Sequence, residues 1–185
     1  MRTIERTRNH MGVGSDFDEF FRAEHPRLVA LAIGLTGVPE VARDLVQDTM
    51  TKAYRDWAQV SQLDRPGAWA RRVTVNATID WHRRRRREDV ALRRLDRRDG
   101  QEIAGVPESE SARFWAAVRA LPDKQRAVIA LYYLEDRSVG EVAATLEMAS
   151  GTVKSTLHAA RAALAIALGV HAEATHDATD EEGAQ

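Results

Sequence analysis

The second half of the chain contains the stretch that decides its fold, SVGEVAATLEMASGTVKSTLHAARAAL, residues 138–164. Apolar residues recur at helical spacing in two runs that a short polar segment separates. Ser138 followed by Glu141 has the spacing of a capping box, which starts a short first helix. The small Ala143 allows a second helix, predicted over residues 152–168, to cross it closely. The pattern predicts a helix-turn-helix.

The second helix of this motif carries polar side chains that would face away from its apolar stripe. In a helix-turn-helix such side chains contact phosphates and base edges from the major groove. The candidates for this contact are Thr152, Lys154, Ser155, Thr156, His158 and Arg161. A plain helical hairpin with solvated polar residues is the alternative that this stretch leaves open.

A second informative stretch is RPGAWARRVTVNATIDWHRRRRRE, residues 65–88, predicted as a helix that Pro66 starts. Its five consecutive arginines repel one another unless an anion neutralises them, and nucleic-acid phosphates do so. Tryptophan beside arginine also suits stacking on unpaired bases, although for Trp69 or Trp81 alone a core position is favoured. A solvated basic face or a basic targeting signal remains the alternative.

The charge of the chain is segregated although its formal net value is −1. Residues 65–98 hold twelve arginines and four acidic residues, a balance of +8, whereas residues 169–185 hold five acidic residues and no Lys or Arg. A polyanion responds to the local potential, so the near-neutral total does not argue against nucleic-acid binding.

Composition and motifs also exclude several classes of protein. The chain has no cysteine, which excludes disulfides, Cys-ligated metal sites and thiol nucleophiles. Its six histidines form no ligand set, and no phosphate loop, HExxH or nucleophile elbow occurs. We therefore expect no enzyme activity, no cofactor and no metal. An apolar run long enough for membrane insertion and a secretory signal are both absent, which predicts a cytoplasmic protein.

The predicted architecture is all-α, with two small helical domains joined by a flexible linker. Helical periodicity and the scarcity of strand-like alternation support this class. The predicted segments are a flexible N-terminus (1–15), a first domain (16–88), a linker (89–109), a second domain with the helix-turn-helix (110–168) and a disordered acidic tail (169–185).

Three motifs occur in a fixed order: ARDLVQDTMTKAYRDW, AWARRVTVNATIDWHRRRRRE and LPDKQRAVIALYYLEDRSVGEVAATLEMASGTVKSTLHAARAAL. Together they resemble the ECF-type (group 4) sigma factors of the sigma-70 family of bacterial RNA polymerase, over about residues 16–168. The resemblance implies a promoter-specificity subunit that binds core RNA polymerase and promoter DNA and helps to open the DNA. It also implies an anti-sigma factor as a further partner.

The resemblance assigns roles to particular residues. Its first domain would dock on the polymerase clamp helices and bind the −10 element, with Asn76 central to the capture of a flipped base. Its second domain would read the −35 element as duplex and meet the polymerase flap. The implied docking residues, which alone would read as a solvated helix face, are Asp44, Gln47, Asp48 and Lys52. The implied −10 and melting residues are Arg65, Trp69, Arg71, Arg72, Asn76, Asp80, Arg83, Arg84, Arg85, Arg86 and Arg87.

The chain departs from the family pattern at four positions. Arg43 replaces a more usual acid, and Glu147 stands in the turn where the family often has glycine. Thr156 and Ala159 occupy positions that are often arginine, which predicts a weaker phosphate grip on the −35 side. Two other functions stay open: a stand-alone helix-turn-helix regulator, and an RNA-binding adaptor that uses the arginine-rich helix.

Overall fold

A computed structural model describes the backbone of residues 3–95 and 109–169, with side chains over residues 16–91 and 109–169. Every regular element in these ranges is helical, so the all-α prediction is confirmed. The first lobe contains α1 (Thr3–Thr36), α2 (Pro39–Arg55), α3 (Trp57–Val60) and α4 (Pro66–Leu95). The second lobe contains α5 (Glu110–Ala120), α6 (Asp123–Ile129) with a π-helical continuation (Ala130–Leu134), α7 (Val139–Leu146) and α8 (Ser150–Leu168).

The connection between α1 and α2 is only two residues long. Gly37 adopts a positive φ of 72°, which ends α1 in the left-handed conformation that glycine tolerates best. Pro39 then occupies the first turn of α2, where its fixed φ suits a helix start. The stop and restart predicted at these residues is therefore confirmed, and it brings the apolar faces of α1 and α2 together.

The core of the first lobe has two parts. Small residues and long aliphatic side chains pack between α1, α2 and α4, and the buried members are Leu28, Ala32, Ala42, Val46, Met50 and Ala70. At the other end, Phe17 meets Trp57 edge-to-face with ring centroids 5.3 Å apart. The short helix α3, which the periodicity did not separate from α2, places Trp57 there.

The second lobe forms its core around the helix-turn-helix. Val153, Leu157, Ala160 and Leu164 of α8 are buried, as the apolar stripe predicted, and they pack in one cluster with Val142 and Ala143 of α7. Burying a Leu or Val side chain contributes roughly 1.5–3 kcal/mol, so this face holds α8 against the rest of the lobe.

The two lobes share one continuous core, a feature that the sequence did not predict. Leu31 and Leu35 of α1 and Val75 of α4 are almost fully buried in the same cluster as the second-lobe residues. At Gly34 a Cβ atom would lie 3.1 Å from Leu134 and 3.4 Å from Trp115, so the absent side chain permits this close approach. The pattern identified these residues as apolar but could not reveal which lobe would cover them.

Two predicted boundaries need correction. Helix α1 begins at Thr3, so the backbone of residues 3–15 is helical where no regular structure was expected. Helix α4 continues to Leu95, beyond the linker boundary predicted at residue 89. Both extensions follow from helix propagation, which adds one hydrogen bond for each residue fixed once a helix is nucleated. The rest of the linker, residues 96–108, and residues 170–185 of the predicted acidic tail lie outside the described residues.

The capping box of α7 provides a test of local stability. Ser138 Oγ accepts a hydrogen bond from the Glu141 backbone N–H at 3.3 Å, and Glu141 Oε2 accepts from the Ser138 backbone N–H at 3.0 Å. We expect Ser138→Ala to lower the free energy of unfolding by about 1 kcal/mol, because an orphan N–H loses its acceptor. Chemical denaturation measures this change.

The matched control is Ser111→Ala, at an exposed position in the first turn of α5. Surface substitutions of this kind usually change stability by less than about 0.5 kcal/mol. Equal stability of Ser138→Ala and the control would show that the box contributes nothing measurable.

Candidate nucleic-acid and protein interface

The turn of the helix-turn-helix is closed by a residue in the left-handed conformation. Glu147 has a φ of 53° and ψ of 46°, and the Met148 N–H donates to the Ala143 carbonyl oxygen at 2.9 Å. A side chain in this region costs roughly 1–2 kcal/mol relative to glycine. Glu147 occupies the position at which the sequence departs from the family, and the backbone there has the geometry that glycine would favour.

The N-terminal part of α8 presents the polar face that the sequence predicted. Thr152, Lys154, Ser155 and His158 are exposed, and Thr156 is half-buried. Their positions on one helix, opposite its buried stripe, leave hydroxyl, ammonium and imidazole groups free to meet an external surface. This arrangement supplies donors suited to phosphates and base edges.

Arg161 is the exception among the predicted α8 residues. Its Nε donates to the Tyr133 hydroxyl at 2.9 Å, and its guanidinium lies 5.5 Å from the centre of the Tyr132 ring. The hydrogen bond from Arg161 to Tyr133 raises the pKa of this guanidinium above its ordinary value. Arg161 is thus bound to the π-helical segment, one turn beyond the exposed polar cluster.

Helix α2 presents a second polar face on the opposite side from its core stripe. Asp44, Gln47, Asp48 and Lys52 are all exposed on it. Tyr54, which the periodicity placed in the apolar stripe, is 59% exposed, and its ring contacts the edge of Phe17. The face therefore combines carboxylates, an amide and a lysine with an accessible aromatic ring nearby, a composition suited to a protein partner.

Helix α4 carries the predicted bases of the first lobe, and the structure divides them into two groups. The exposed group contains Arg65, Arg84, Arg85 and Arg87, and Arg85 lies 5.6 Å above the Trp81 ring. Trp69 is half-buried and packs on both core clusters of its lobe, as favoured for this tryptophan taken alone. Trp81 is half-buried.

The second group of α4 arginines is bound to carboxylates. Arg71 forms ion pairs with Glu24 at 2.8 Å and with Glu135 at 2.7 Å, and only 4% of the residue is exposed. Arg72 is paired with Glu147. In this conformation Arg71 is inaccessible to a phosphate, so its predicted role needs a different arrangement of the lobes.

A third carboxylate, Asp123, binds the arginines further along α4. Arg83 Nε donates to Asp123 Oδ2 at 3.1 Å, and Arg86 lies 3.8 Å from Oδ1. The fully buried Arg126 also donates to Asp123, at 2.7 Å, and to the Arg119 carbonyl oxygen at 2.9 Å. Asp123 therefore joins the arginines of both lobes.

Asn76 and Asp80 are exposed on α4 and line a cleft between the lobes of about 550 Å³. The second-lobe side of this cleft includes Leu146, Glu147 and Met148. Groups that the sequence assigned to a flipped base thus face the turn of the helix-turn-helix instead of open solvent.

Sequence reasoning missed the carboxylates that bind these arginines, Glu24, Asp123, Glu135 and Glu147, and it missed His82. The only signal was indirect: a helix so rich in arginine requires counter-charges from elsewhere. Their sequence separation gives no periodic pattern, since Arg71 and Glu135 are 64 residues apart.

His82 is half-buried on α4, with Nε2 2.9 Å from the Leu35 carbonyl oxygen, so Nε2 must carry the donated hydrogen. Burial lowers the pKa of His82, the hydrogen bond to Leu35 raises it in part, and the charges of Arg126 and Arg86 lower it further. The neutral imidazole is therefore the form that this position favours.

Two classes of site find no support in the described residues. Over those ranges, no group of three or more His, Asp or Glu side chains could hold a metal ion. Among the described helices, none combines the length and apolar character needed to cross a membrane.

Two family models match the chain in succession. Sigma-70 region 2 matches residues 20–88, and Sigma-70, region 4 matches residues 111–164. These spans correspond to the first and second lobes.

Named relatives are similar over most of the chain. RNA polymerase sigma-E factor of Streptomyces coelicolor is 34% identical over 154 residues, which cover 83% of this chain and 86% of the relative. ECF RNA polymerase sigma factor SigM of Mycobacterium tuberculosis is 32% identical, over 83% of this chain and 77% of the relative.

A similar solved structure is the sigma factor RpoE in complex with the anti-sigma factor NepR from Bartonella quintana. It has a TM-score of 0.67 and 29% identity, and the match covers 85% of this chain and 99% of RpoE. The structure of CnrH in complex with the cytosolic domain of CnrY has a TM-score of 0.60 at 23% identity, which shows the shared fold.

The depressed pKa of His82 predicts how stability depends on pH. Below about pH 6.5 an unfolded histidine binds a proton that the buried neutral His82 does not, so stability decreases as pH falls through this window. We expect His82→Gln, which keeps a donor for Leu35, to reduce the loss of melting temperature between about pH 7 and about pH 5.5.

The control is His158→Gln, which changes an exposed histidine on α8. It should keep the pH dependence of the wild type. An identical pH dependence for His82→Gln and the wild type would contradict the assignment of a buried neutral imidazole.

Proposed function

This chain belongs to the ECF-type sigma factors of the sigma-70 family, and we propose that it binds core RNA polymerase and directs transcription initiation at its promoters. One observation carries the proposal: regions 2 and 4 follow one another on a single chain, each on its own helical lobe with an exposed polar face. Both faces are needed for a protein that must hold a polymerase and two separate promoter elements.

The α2 face is proposed to dock on the polymerase clamp helices. Its exposed residues Asp44, Gln47, Asp48 and Lys52 lie opposite a tightly packed core stripe, so their positions are fixed by burial of Leu45, Val46 and Met50. A rigid helix face holds a set of charges in constant register, which favours electrostatic complementarity with one partner.

Helix α4 is proposed to bind the melted −10 strand. Asn76 offers an amide that can both donate to and accept from a base edge, and Asp80 lies one turn further along. Arg84, Arg85 and Arg87 remain exposed for backbone phosphates. Contacts to an extruded base offset the few kcal/mol that unstacking costs.

The second lobe is proposed to read the −35 element from the major groove. Lys154, Ser155 and His158 supply the exposed donors, with Thr152 beside them. Arg161 holds the π-helical segment through Tyr133, and its role in this reading becomes structural support together with any phosphate contact. Few cations on α8 imply that affinity depends largely on the first lobe and on the polymerase.

The proposal includes an anti-sigma factor as a partner and places the protein in the cytoplasm with its polymerase. The similar RpoE structure was determined in complex with an anti-sigma factor. Sigma factors are transcription initiation factors, and we assign no catalytic residue and no cofactor to this chain.

In vitro initiation with purified core polymerase tests the function directly. The chain should redirect the start sites of core polymerase, and Asn76→Ala should lower open-complex formation by about tenfold, the effect of losing about 1.4 kcal/mol of base contact. Permanganate footprinting of melted thymines measures opening, and a pull-down measures polymerase binding, which should not change.

Gln59→Ala, at an exposed position on α3, is the control and should open promoters as the wild type does. Tight, sequence-specific binding to promoter duplex without polymerase, combined with no effect on start sites, would favour a stand-alone regulator. Tight RNA binding without polymerase association would favour an RNA-binding adaptor.

The salt dependence of promoter binding tests the phosphate contacts of α4. Replacing Arg84 and Arg87 together by Gln should reduce the slope of log affinity against log salt by about 0.7 for each lost single-strand contact. Filter binding of the holoenzyme between about 50 and 200 mM salt measures the slope. Arg113→Gln on α5 is the charge control, and an unchanged slope for the α4 variant would remove these two residues from the phosphate contact.

A further inference from the structure

Three carboxylates of the second lobe bind arginines of α4. Glu135 pairs with Arg71, Glu147 with Arg72, and Asp123 with Arg83 and Arg86. The contacts recur along fifteen residues of α4, or about 22 Å at 1.5 Å per residue. The second lobe thus presents a row of anions to the helix that is proposed to bind the phosphates of the melted strand.

These contacts are buried to different degrees. The side chains of Arg71 and Glu135 are only 5% and 6% exposed, so solvent screens this pair weakly. The pairs made by Arg83 and Arg86 are more open, with about half of each arginine side chain accessible. Arg71 is therefore the contact that excludes a competing phosphate most effectively.

An apolar contact beside the ion pairs holds the lobes in this arrangement. Leu31, Leu35 and Val75 of the first lobe are buried in the same cluster as the second-lobe core. Gly34 admits Leu134 and Trp115 at 3.1 and 3.4 Å from where its Cβ would lie. Separating the lobes would expose this surface to water, at about 25 cal/mol for each Å² of apolar area.

We propose that the second lobe autoinhibits the first: in the free chain its carboxylates occupy the arginines of α4 and its turn covers Asn76, which excludes the melted promoter strand. This inference rests on the proposed function and concerns the regulation of the same site. Opening of the lobes and binding of the strand are then coupled, because one set of guanidinium groups cannot bind both anions. Polymerase, by holding the lobes apart, would release the site.

The coupling has a simple quantitative form. When only a fraction of the chains is open, the apparent dissociation constant for the strand rises by the inverse of that fraction. A closed population of about 80% weakens binding about fivefold, and about 99% weakens it about a hundredfold. Variants that open the lobes should recover this factor without any new contact to DNA.

Two variants open the lobes by different means. Gly34→Gln inserts a side chain against Leu134 and Trp115 without changing the charge, at a residue outside the proposed DNA and polymerase contacts. The double variant Glu135→Gln with Glu147→Gln removes two of the counter-charges. Each has a matched control: Gly151→Gln, where nothing lies within 4 Å of the added Cβ, and Glu19→Gln with Glu110→Gln at exposed positions.

The full-length chain without polymerase is measured in two ways. Small-angle scattering gives its radius of gyration, and fluorescence anisotropy gives its affinity for a mixed-sequence single-stranded DNA of about 20 nucleotides. Both opening variants should have a larger radius and bind the oligonucleotide at least about fivefold more tightly than the wild type. The controls should stay within about twofold.

The proposal is overturned if the wild type has the radius of the opened variants, or if the variants open without gaining affinity. An equal gain in the Glu19 and Glu110 control would also overturn it, since net charge would then explain the effect. If Gly34→Gln loses its cooperative melt, the double Glu variant decides alone. Start-site selection by the wild type with core polymerase is assayed in parallel: its success with failed opening rejects autoinhibition only, whereas its failure rejects the proposed function.

Discussion

The ion-paired guanidinium of Arg71 is the interaction on which the arrangement of the lobes depends. It contacts Glu24 of its own lobe and Glu135 of the other, and it is almost inaccessible to water. Removing one partner of a buried ion pair costs about 3–5 kcal/mol, because a charge is left without compensation. The structure even keeps Gly67 beside this pair, where a Cβ would lie 2.6 Å from both Arg71 Nη1 and Glu24 Oε1.

A helix as rich in arginine as α4 needs anions, and this chain offers it two kinds. Carboxylates of the second lobe satisfy Arg71, Arg72 and Arg83 in the structure, and promoter phosphates are the other candidates. An intramolecular carboxylate acts at a high effective concentration, whereas phosphates gain from counterion release. The balance between them sets how readily the free chain binds nucleic acid.

The helix-turn-helix is by contrast locally determined. The capping box, the buried stripe of α8 and the exposed polar face follow from residue spacing alone, and the structure reproduces each of them. Local hydrogen bonds and helical periodicity operate within a few residues, so the linear pattern contains the necessary information. Arg161 differs because Tyr133, its partner, is 28 residues away.

The sequence by itself determined the helical class, the two-lobe division, the helix-turn-helix and the exposed faces of α2 and α8, because these depend on periodicity and capping. Only the tertiary structure decided that Leu31, Leu35 and Val75 join the second-lobe core and that four of the α4 arginines are bound to second-lobe carboxylates. Charge and apolar character are properties of single residues, whereas the choice of partner is set by packing between segments that lie far apart along the chain.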